Sequence, residues 1–346
     1  MSDNALTKTE PILVWGIAGA SLGMELAKSL VLAGYRNIIG CDISPMAFGH
    51  FSEVFHKTYV IDCSSPEKSL NMILRESKPR FVVAGGDQVS RIIQTFDKVF
   101  SENGCRICGN SDTVAQRLSD KYGVMLQLQN AGFEVPHTRL IDDHLSIHDF
   151  PLPAVLKPRF DSGGSRGVFV VFTRSDLETR AASILANDIE YIIQVYISDT
   201  AGEFTIGVLS ETTGRVAGSI LLRRTFQNML SIRERTSKFL ISSGSSQGFF
   251  EHDEKLQSQA EALAAAVGST GPLNIQARVK NGNLATFEIN PRFSASTYLR
   301  ALSGVNEVDL FIKHLVDGAE IRYPNWSDGL ALRTFSEVFV AGKGPC

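Results

Sequence analysis

The sequence predicts a doubly wound α/β domain at the N-terminus, followed by an α+β region. The first hundred residues alternate short apolar runs with helical patterns, which favours a parallel sheet covered on both faces. After residue 190 the apolar runs come close together with turn residues between them, which is typical of antiparallel hairpins. The pattern changes near Gly109, so we expect the two regions to meet there.

The N-terminal elements follow from apolar runs and their breakers. Strands are predicted at Pro11–Gly16, Asn37–Cys41, Thr58–Ile61 and Phe81–Ala84, and helices at Ser21–Ala33 and Pro66–Ser77. In the first helix, Leu22, Leu26 and Leu30 recur at helical spacing and Gly34 ends the pattern. This order predicts helices between consecutive parallel strands.

The second region begins with a long helical pattern and continues mainly as strands. Asn281-Gly282-Asn283 between two apolar strands is a strong hairpin signal. Helices are predicted at Asp112–Gln129, Glu254–Val267 and Val308–Val316, and strands at 153–157, 168–172, 191–197, 203–209, 215–222, 273–280, 284–289 and 330–340.

Composition excludes several classes of protein. Of 346 residues, 43% are hydrophobic and 21% charged, which excludes disorder. With 34 Lys and Arg against 37 Asp and Glu, the net charge of −3 does not favour nucleic acid or an anionic membrane as partner. Five cysteines, an odd number, do not suggest a disulfide framework. The polar start and the lack of a long apolar stretch predict a cytoplasmic protein.

A glycine-rich turn follows the first strand. Gly16, Gly19 and Gly23 open the first helix, and Asp42 lies where a ribose-binding acid is found in dinucleotide enzymes. The spacing is GxxGxxxG rather than GxGxxG. Two interpretations stay open: an NAD site, or a tight strand-to-helix turn.

Lys157 ends a strand and is followed by a loop that contains Gly163 and Gly164. Backbone N–H groups of such a loop can surround phosphate oxygens, and the lysine adds a positive charge. No GK[ST] follows, so this is not a Walker A motif. A plain hairpin tip is the alternative.

Glu288 and Asn290 are two residues apart on a predicted strand, so their side chains share one face. Carboxylate and amide oxygens suit magnesium held together with nucleotide phosphates. Gln276 on the partner strand can add a third oxygen, and Arg292 follows where a developing anion can be met. The alternative is a solvated polar face.

A basic stretch, residues 223–238, lies between two predicted strands. Arginine binds carboxylates and phosphates in a forked geometry, so Arg224, Arg233 and Arg235 are candidate substrate contacts. A solvated basic loop or an RNA-binding stretch is the alternative, although no interleaved aromatic run supports RNA.

Cys105 and Cys108 form a lone CxxC without a partner pair, so we predict no zinc site.

The order of these features resembles the ATP-grasp superfamily. It is most similar to one ATP-grasp unit of the carbamoyl phosphate synthetase large subunit and to stand-alone carboxylate–amine ligases, over about residues 110–318. The features that carry the resemblance are Asp120-Lys121, Lys157-Pro158 with its glycine loop, Gln194–Ile197, Glu203-Phe204-Thr205, and Gln276 with Glu288-Ile-Asn290-Pro-Arg292.

The resemblance implies the parts of an ATP site. Lys121 and Lys157 match residues that meet the nucleotide phosphates, with Gly163 and Gly164 in the covering loop. Gln194 and the backbone of Val195 and Ile197 match the adenine contacts, and Glu203 matches a ribose-binding acid. Many relatives have glutamate where this chain has Gln194.

The resemblance also implies the metal ligands and the reaction. Gln276, Glu288 and Asn290 match ligands of Mg²⁺, for which Mn²⁺ can substitute, and Arg292 matches the arginine that stabilises the transferred phosphoryl group. The basic stretch lies where the family has a loop over the γ-phosphate and substrate, so one or two of Arg224, Arg233 and Arg235 are expected to meet the acid substrate or acyl-phosphate, with Arg233 and Arg235 taken as the candidates. Ala295 stands where the synthetase has a second arginine, which argues against carbonate phosphorylation.

The implied activity is an ATP-dependent ligase that joins a small carboxylic acid to an amine through an acyl-phosphate. The implied divisions are an N-terminal domain (1–110), a smaller subdomain (111–190), a larger subdomain with the metal site (191–320) and a tail packed back on the fold (321–346). A homodimer is compatible with this. The rival hypotheses are an NAD-dependent oxidoreductase and a non-catalytic nucleotide-binding subunit.

Overall fold

The N-terminal region is a five-stranded parallel sheet in the order β3-β2-β1-β4-β5. A computed structural model describes residues 7–19, 22–143, 147–160, 167–187, 189–227 and 229–340. The strands and helices of this region are β1 (Ile12–Trp15), α1 (Leu22–Leu32), β2 (Ile38–Asp42), β3 (Lys57–Val60), α2 (Pro66–Ser77), β4 (Phe81–Ala84), α3 (Asp87–Thr95), α4 (Asp97–Glu102) and β5 (Arg106–Ile107).

Both faces of this sheet are buried, as the sequence predicts. Ile12 and Val14 of β1 pack into a core that also contains residues of α1. Leu13 and Trp15, which alternate with them, pack into a second core with α2. Because successive strand residues point to opposite faces, a continuously apolar strand needs helices on both sides.

The rest of the chain forms two larger antiparallel sheets and a hairpin. A four-stranded sheet has the order β6-β9-β7-β8, and a six-stranded sheet has the order β16-β15-β10-β11-β14-β17. The strands are β6 (Thr138–Ile141), β7 (Ala154–Pro158), β8 (Phe169–Val171), β9 (Tyr191–Val195), β10 (Glu203–Ser210), β11 (Val216–Arg224), β12 (Ile232–Arg235), β13 (Leu240–Ser242), β14 (Gly248–Phe250), β15 (Pro272–Lys280), β16 (Asn283–Asn290) and β17 (Gly329–Ala331).

The helices of this part pack on the sheets. Two of them, at residues 174–185 and 297–303, were not predicted from the sequence. They are α5 (Asp112–Ser119), α6 (Lys121–Asn130), α7 (Arg174–Leu185), α8 (Glu254–Ala266), α9 (Thr297–Ser303) and α10 (Glu307–Asp317). The helix predicted at Asp112–Gln129 is two helices, because the Asp120 carboxylate accepts a hydrogen bond from the Tyr122 amide at 3.1 Å and caps a new helix. Arg159 binds the same carboxylate through Nε and Nη2 and lowers its pKa.

The sheets place the boundaries differently from the predicted division at residue 191. Strand β9 pairs with β6 and β7, so it lies in the smaller sheet. Helices α5 and α6 share a core with β10 and β15 of the larger sheet. The predicted division therefore stays a proposal.

The predicted strand at 330–340 is three residues long, Gly329–Ala331, and pairs with β14. Beyond it, Arg333 donates to the carbonyls of Ala295 at 2.6 Å and Ser246 at 2.9 Å. These two residues lie in the segments just after β16 and just before β14, so the tail packs on the fold at residue 333. None of the helices in the described ranges is long and apolar enough to cross a membrane.

The start of α1 depends on a close backbone contact. A Cβ atom added to Gly23 would lie 2.0 Å from the carbonyl oxygen of Gly16. We expect Gly23→Ala to destabilise the protein by about 2 kcal/mol, although alanine favours helix more than glycine does. Urea unfolding measures this, with Gly109→Ala as the control because that position is open. An unchanged midpoint for Gly23→Ala would contradict the contact.

Candidate active site

A cavity lies between the four-stranded and the six-stranded sheets. Its walls come from β7, β8 and β9 on one side and from β10, β13, β15 and β16 on the other. The sequence-predicted residues that line it are Lys157, Gln194, Val195, Ile197, Glu203, Gln276 and Glu288. Residues distant in sequence are thus brought to one place, as the resemblance implies.

Lys157 is a buried cation on the wall of this cavity. It is 5% exposed, and its Nζ donates to the Phe287 carbonyl at 2.7 Å. Burial lowers the pKa of Lys157 to about 8, and the negative charge of Glu288 opposes this shift. A buried ammonium with one neutral partner is placed to bind an anion.

The carboxylate of Glu203 forms ion pairs with two arginines. Its Oε2 accepts from Arg278 Nε at 2.9 Å, and its Oε1 lies 3.4 Å from Arg224 Nη1. All three side chains are buried, and burial lowers the pKa of Arg224. The ribose contact predicted for Glu203 stays a prediction, since the structure gives this carboxylate an ion-pairing role that the sequence did not indicate.

The two arginines also fasten the neighbouring segments to the sheet. Arg278 donates through Nη1 to the Ile197 carbonyl and through Nη2 to the Leu240 carbonyl at 2.9 Å. Arg224 donates to the carbonyls of Ser231 and Ser243, at 3.2 and 2.9 Å. The buried Arg224 side chain therefore ties the backbone of the basic stretch, at Ser231, to the segment after β13, at Ser243.

The strand end predicted to hold adenine is partly used within the protein. Gln194 Nε2 donates to Thr138 Oγ1 at 3.0 Å, and the Val195 amide donates to the His137 carbonyl at 3.0 Å. The Ile197 carbonyl accepts from Arg278, as described above. The Val195 N–H is thus already bonded, and the other backbone contacts stay predictions.

A second cavity lies beside the first and shares Glu288 with it. Lys121, Asn290 and Arg292 line the second cavity together with Asp87 of α3. Asn290 is 8% exposed, and its Nδ2 has no hydrogen-bond partner among the described residues. A buried donor of this kind needs an acceptor from a ligand or water.

The three predicted metal ligands lie on two paired strands. Gln276 is directly opposite Glu288, and Asn290 follows two residues later. Within the described ranges, no cluster of three or more histidine, cysteine, aspartate or glutamate side chains could hold a metal ion. One carboxylate with two amide oxygens fits Mg²⁺ that is held jointly with nucleotide phosphates.

Of the remaining predicted site residues, Arg292 is paired, Arg233 and Arg235 are exposed, and two glycines are not described. Arg292 pairs with Asp87, a partner that the sequence did not indicate. Arg233 and Arg235 are exposed, and Arg235 Nη1 donates to the Phe226 carbonyl at 2.9 Å. Gly163 and Gly164 lie outside the described residues.

The glycine turn after β1 has a local structural role. Asp42 accepts hydrogen bonds from the amides of Ile17 at 2.8 Å and Ser44 at 3.0 Å, so its carboxylate is used within the turn. This favours the strand-to-helix turn over the NAD site.

Cys105 and Cys108 are buried, and burial raises the pKa of both thiols, which makes them poor nucleophiles.

The titration of Lys157 can be measured directly. We expect its side-chain ¹³Cε resonance to titrate with a midpoint near pH 8, because burial favours the neutral amine. The exposed Lys98 provides the comparison, and Lys157→Arg assigns the signal. A midpoint of Lys157 above pH 10 would show that the side chain is solvated.

Glu203→Gln separates an ion-pairing role from a ribose-binding role. Loss of the carboxylate leaves two buried guanidinium groups without a counter-charge, so we expect a destabilisation of about 3 kcal/mol in urea unfolding. Glu251→Gln is the matched control, since Glu251 pairs with Arg223 at the surface and should cost less than about 1 kcal/mol. A stable Glu203→Gln protein that is altered only in nucleotide affinity would support the ribose role.

Comparison with known proteins shows that this chain is similar to ATP-grasp proteins. Residues 202–338 match a family described as ATP-grasp in the biosynthetic pathway with Ter operon. A formate-dependent phosphoribosylglycinamide formyltransferase from a Nitratiruptor species is 23% identical, over 78% of this chain and 67% of the relative. The carbamoyl phosphate synthase large chain of Clostridium acetobutylicum is 24% identical over 90% of this chain, which spans 30% of that relative.

Solved structures share the fold. L-amino acid ligase from Bacillus licheniformis has a TM-score of 0.64 at 14% identity, covering 90% of this chain and 75% of that one. N5-carboxyaminoimidazole synthetase from Staphylococcus aureus, complexed with ADP, has a TM-score of 0.64 at 17% identity, covering 95% of this chain and 83% of that one. The resemblance drawn from the sequence is confirmed: residues 202–338 match an ATP-grasp family model, the relatives are similar in sequence, and the solved structures share the fold.

Proposed function

We propose that this protein joins a small carboxylic acid to an amine at the expense of ATP. The acid's carboxylate oxygen attacks the γ-phosphorus, which gives an acyl-phosphate and ADP. The amine nitrogen then attacks the acyl carbon, phosphate leaves, and an amide forms. The observation that carries this proposal is the meeting of Lys157, from one side of the cavity, with Gln276 and Glu288, from the other.

The protein's own residues supply charge and position. Lys157 in the first cavity and Lys121 in the second place positive charge on both sides of Glu288. Arg292 presents a guanidinium in the second cavity, where negative charge would develop on the transferred phosphoryl group. Preset donors of this kind lower the barrier because they need no reorganisation during the reaction.

Magnesium would be held by Glu288 and Asn290, with Gln276 as a weaker third ligand. When bound, it would neutralise phosphate charge. The unpartnered amide of Asn290 supports this assignment, since an Asn that turns its oxygen to a cation leaves its NH₂ group free for a ligand oxygen.

The relatives support a ligase with small-molecule substrates. They include an L-amino acid ligase, a formate-dependent formyltransferase and a synthetase complexed with ADP. These proteins differ in the acid that they use. The acid and amine of this chain are therefore left as a class.

Hydroxylamine tests the acyl-phosphate without knowledge of the natural amine. The protein is incubated with Mg-ATP, hydroxylamine and single carboxylic acids, including formate, bicarbonate and the common amino acids. An acyl-phosphate yields a hydroxamate, which ferric ion detects, in equal amount to the ADP released. ATP binding without ADP release for every acid would favour a non-catalytic nucleotide-binding subunit.

Glu288→Gln tests the metal site within the same assay. We expect ADP release to fall on the order of 100-fold, because the one carboxylate among the three proposed ligands is lost. Glu102→Gln is the control, since Glu102 is an exposed residue of α4. Full activity of Glu288→Gln would remove Glu288 from the proposed metal site.

A further inference from the structure

Arg292 is held by Asp87, a side chain of the N-terminal region that lies 205 residues earlier in the sequence. Its Nε and Nη2 donate to the two carboxylate oxygens of Asp87, at 2.8 and 3.0 Å. Its Nη1 donates to the Phe293 carbonyl at 2.9 Å. A bidentate pair fixes the plane of the guanidinium as well as its position. With all three nitrogens engaged, the group has a defined direction.

The pair is largely shielded from water and remains charged. The exposed fractions of the side chains are 18% for Arg292 and 27% for Asp87. Burial works to raise the pKa of Asp87, but the positive charge of Arg292 outweighs it and the pKa is lowered. Burial works to lower the pKa of Arg292, and Asp87 reverses that shift. Each residue therefore keeps the other ionised.

The N-terminal sheet sets the position of Asp87. Asp87 is the first residue of α3, two residues after Gly85, which directly follows β4. The Gly85 amide donates to the Trp15 carbonyl at 2.7 Å, and a Cβ on Gly85 would lie 2.2 Å from the Gly16 carbonyl oxygen. The ends of β4 and β1 thus pack backbone against backbone.

We propose that Asp87 is a positioning residue for phosphoryl transfer, acting through Arg292. This inference rests on the proposed function and extends the reaction site into the N-terminal sheet. Both oxygens of Asp87 are occupied by Arg292, so Asp87 orients the arginine and leaves the substrate to other groups. An incoming phosphoryl group then meets an arginine whose direction is already set.

Binding of Mg-ADP with and without aluminium fluoride tests this proposal without the natural substrates. Aluminium fluoride occupies the place of a phosphoryl group in transfer. In the unaltered protein we expect it to tighten Mg-ADP binding by at least about tenfold, as charge-assisted bonds to Arg292 form. Asp87→Asn should bind Mg-ADP alone within about threefold of the unaltered protein and lose the tightening. Asp87→Glu should restore part of it.

Glu10→Gln is the matched control. Glu10 forms a comparably exposed pair with Arg80 in the same region, at 2.7 Å, and its loss should leave the tightening intact. A purely structural role of Asp87 would weaken Mg-ADP binding with and without fluoride alike. Such a result, or tightening that persists in Asp87→Asn, overturns the proposal.

Two further outcomes are separable. If the unaltered protein binds Mg-ADP but gains nothing from aluminium fluoride, the positioning role is overturned while the nucleotide site stands. If it binds no Mg-ADP, the proposed function fails as well. Should Asp87→Asn not fold, Arg292→Lys decides, because lysine keeps the charge but cannot form the bidentate pair; persistent tightening there also overturns the proposal.

Discussion

The organisation of the cavity between the two sheets depends on one buried charge, that of Glu203. Two arginines from different strands meet its carboxylate, and each then reaches outward to carbonyl groups of other segments. Through Arg278 the carboxylate holds the end of β9 and strand β13, and through Arg224 it holds the loop that carries the basic stretch. Because an unpaired buried charge is very costly, these segments are fixed together rather than independently.

A second ion pair, between Asp87 and Arg292, joins the N-terminal region to the antiparallel part of the molecule. Helix α3, which follows β4, contributes Asp87, Ser90 and Arg91 to the cavity that contains Glu288 and Arg292. Ligands of open α/β sheets bind outside the carboxyl ends of the strands, where the strand order reverses, and β1 and β4 form that point here. The antiparallel part and the parallel part therefore contribute to one site.

Much of this could be predicted from the sequence, and the reasons for the omissions are physical. Apolar periodicity indicated the parallel sheet and the β15–β16 hairpin, because those elements are set by local pattern. The order of Lys157, Gln276 and Glu288 indicated the ATP-grasp fold. The partners of Glu203 and Arg292 could not be predicted: nothing in the sequence pairs Arg278 with Glu203, and Asp87, at a strand end, indicated a substrate contact rather than a partner of Arg292. The break at Asp120 was missed because the helical pattern continues on both sides of it, through α5 and α6.

The position of Glu288 on the shared wall of the two cavities links whatever occupies them. A cation or an anion bound on one side changes the electric field that a molecule on the other side experiences, and in a buried setting that field is weakly screened. Two ligands coupled in this way must alter each other's affinity by the same factor. Glu288 is therefore the side chain through which ligands in the two cavities would act on each other electrostatically, and this needs no movement of the backbone.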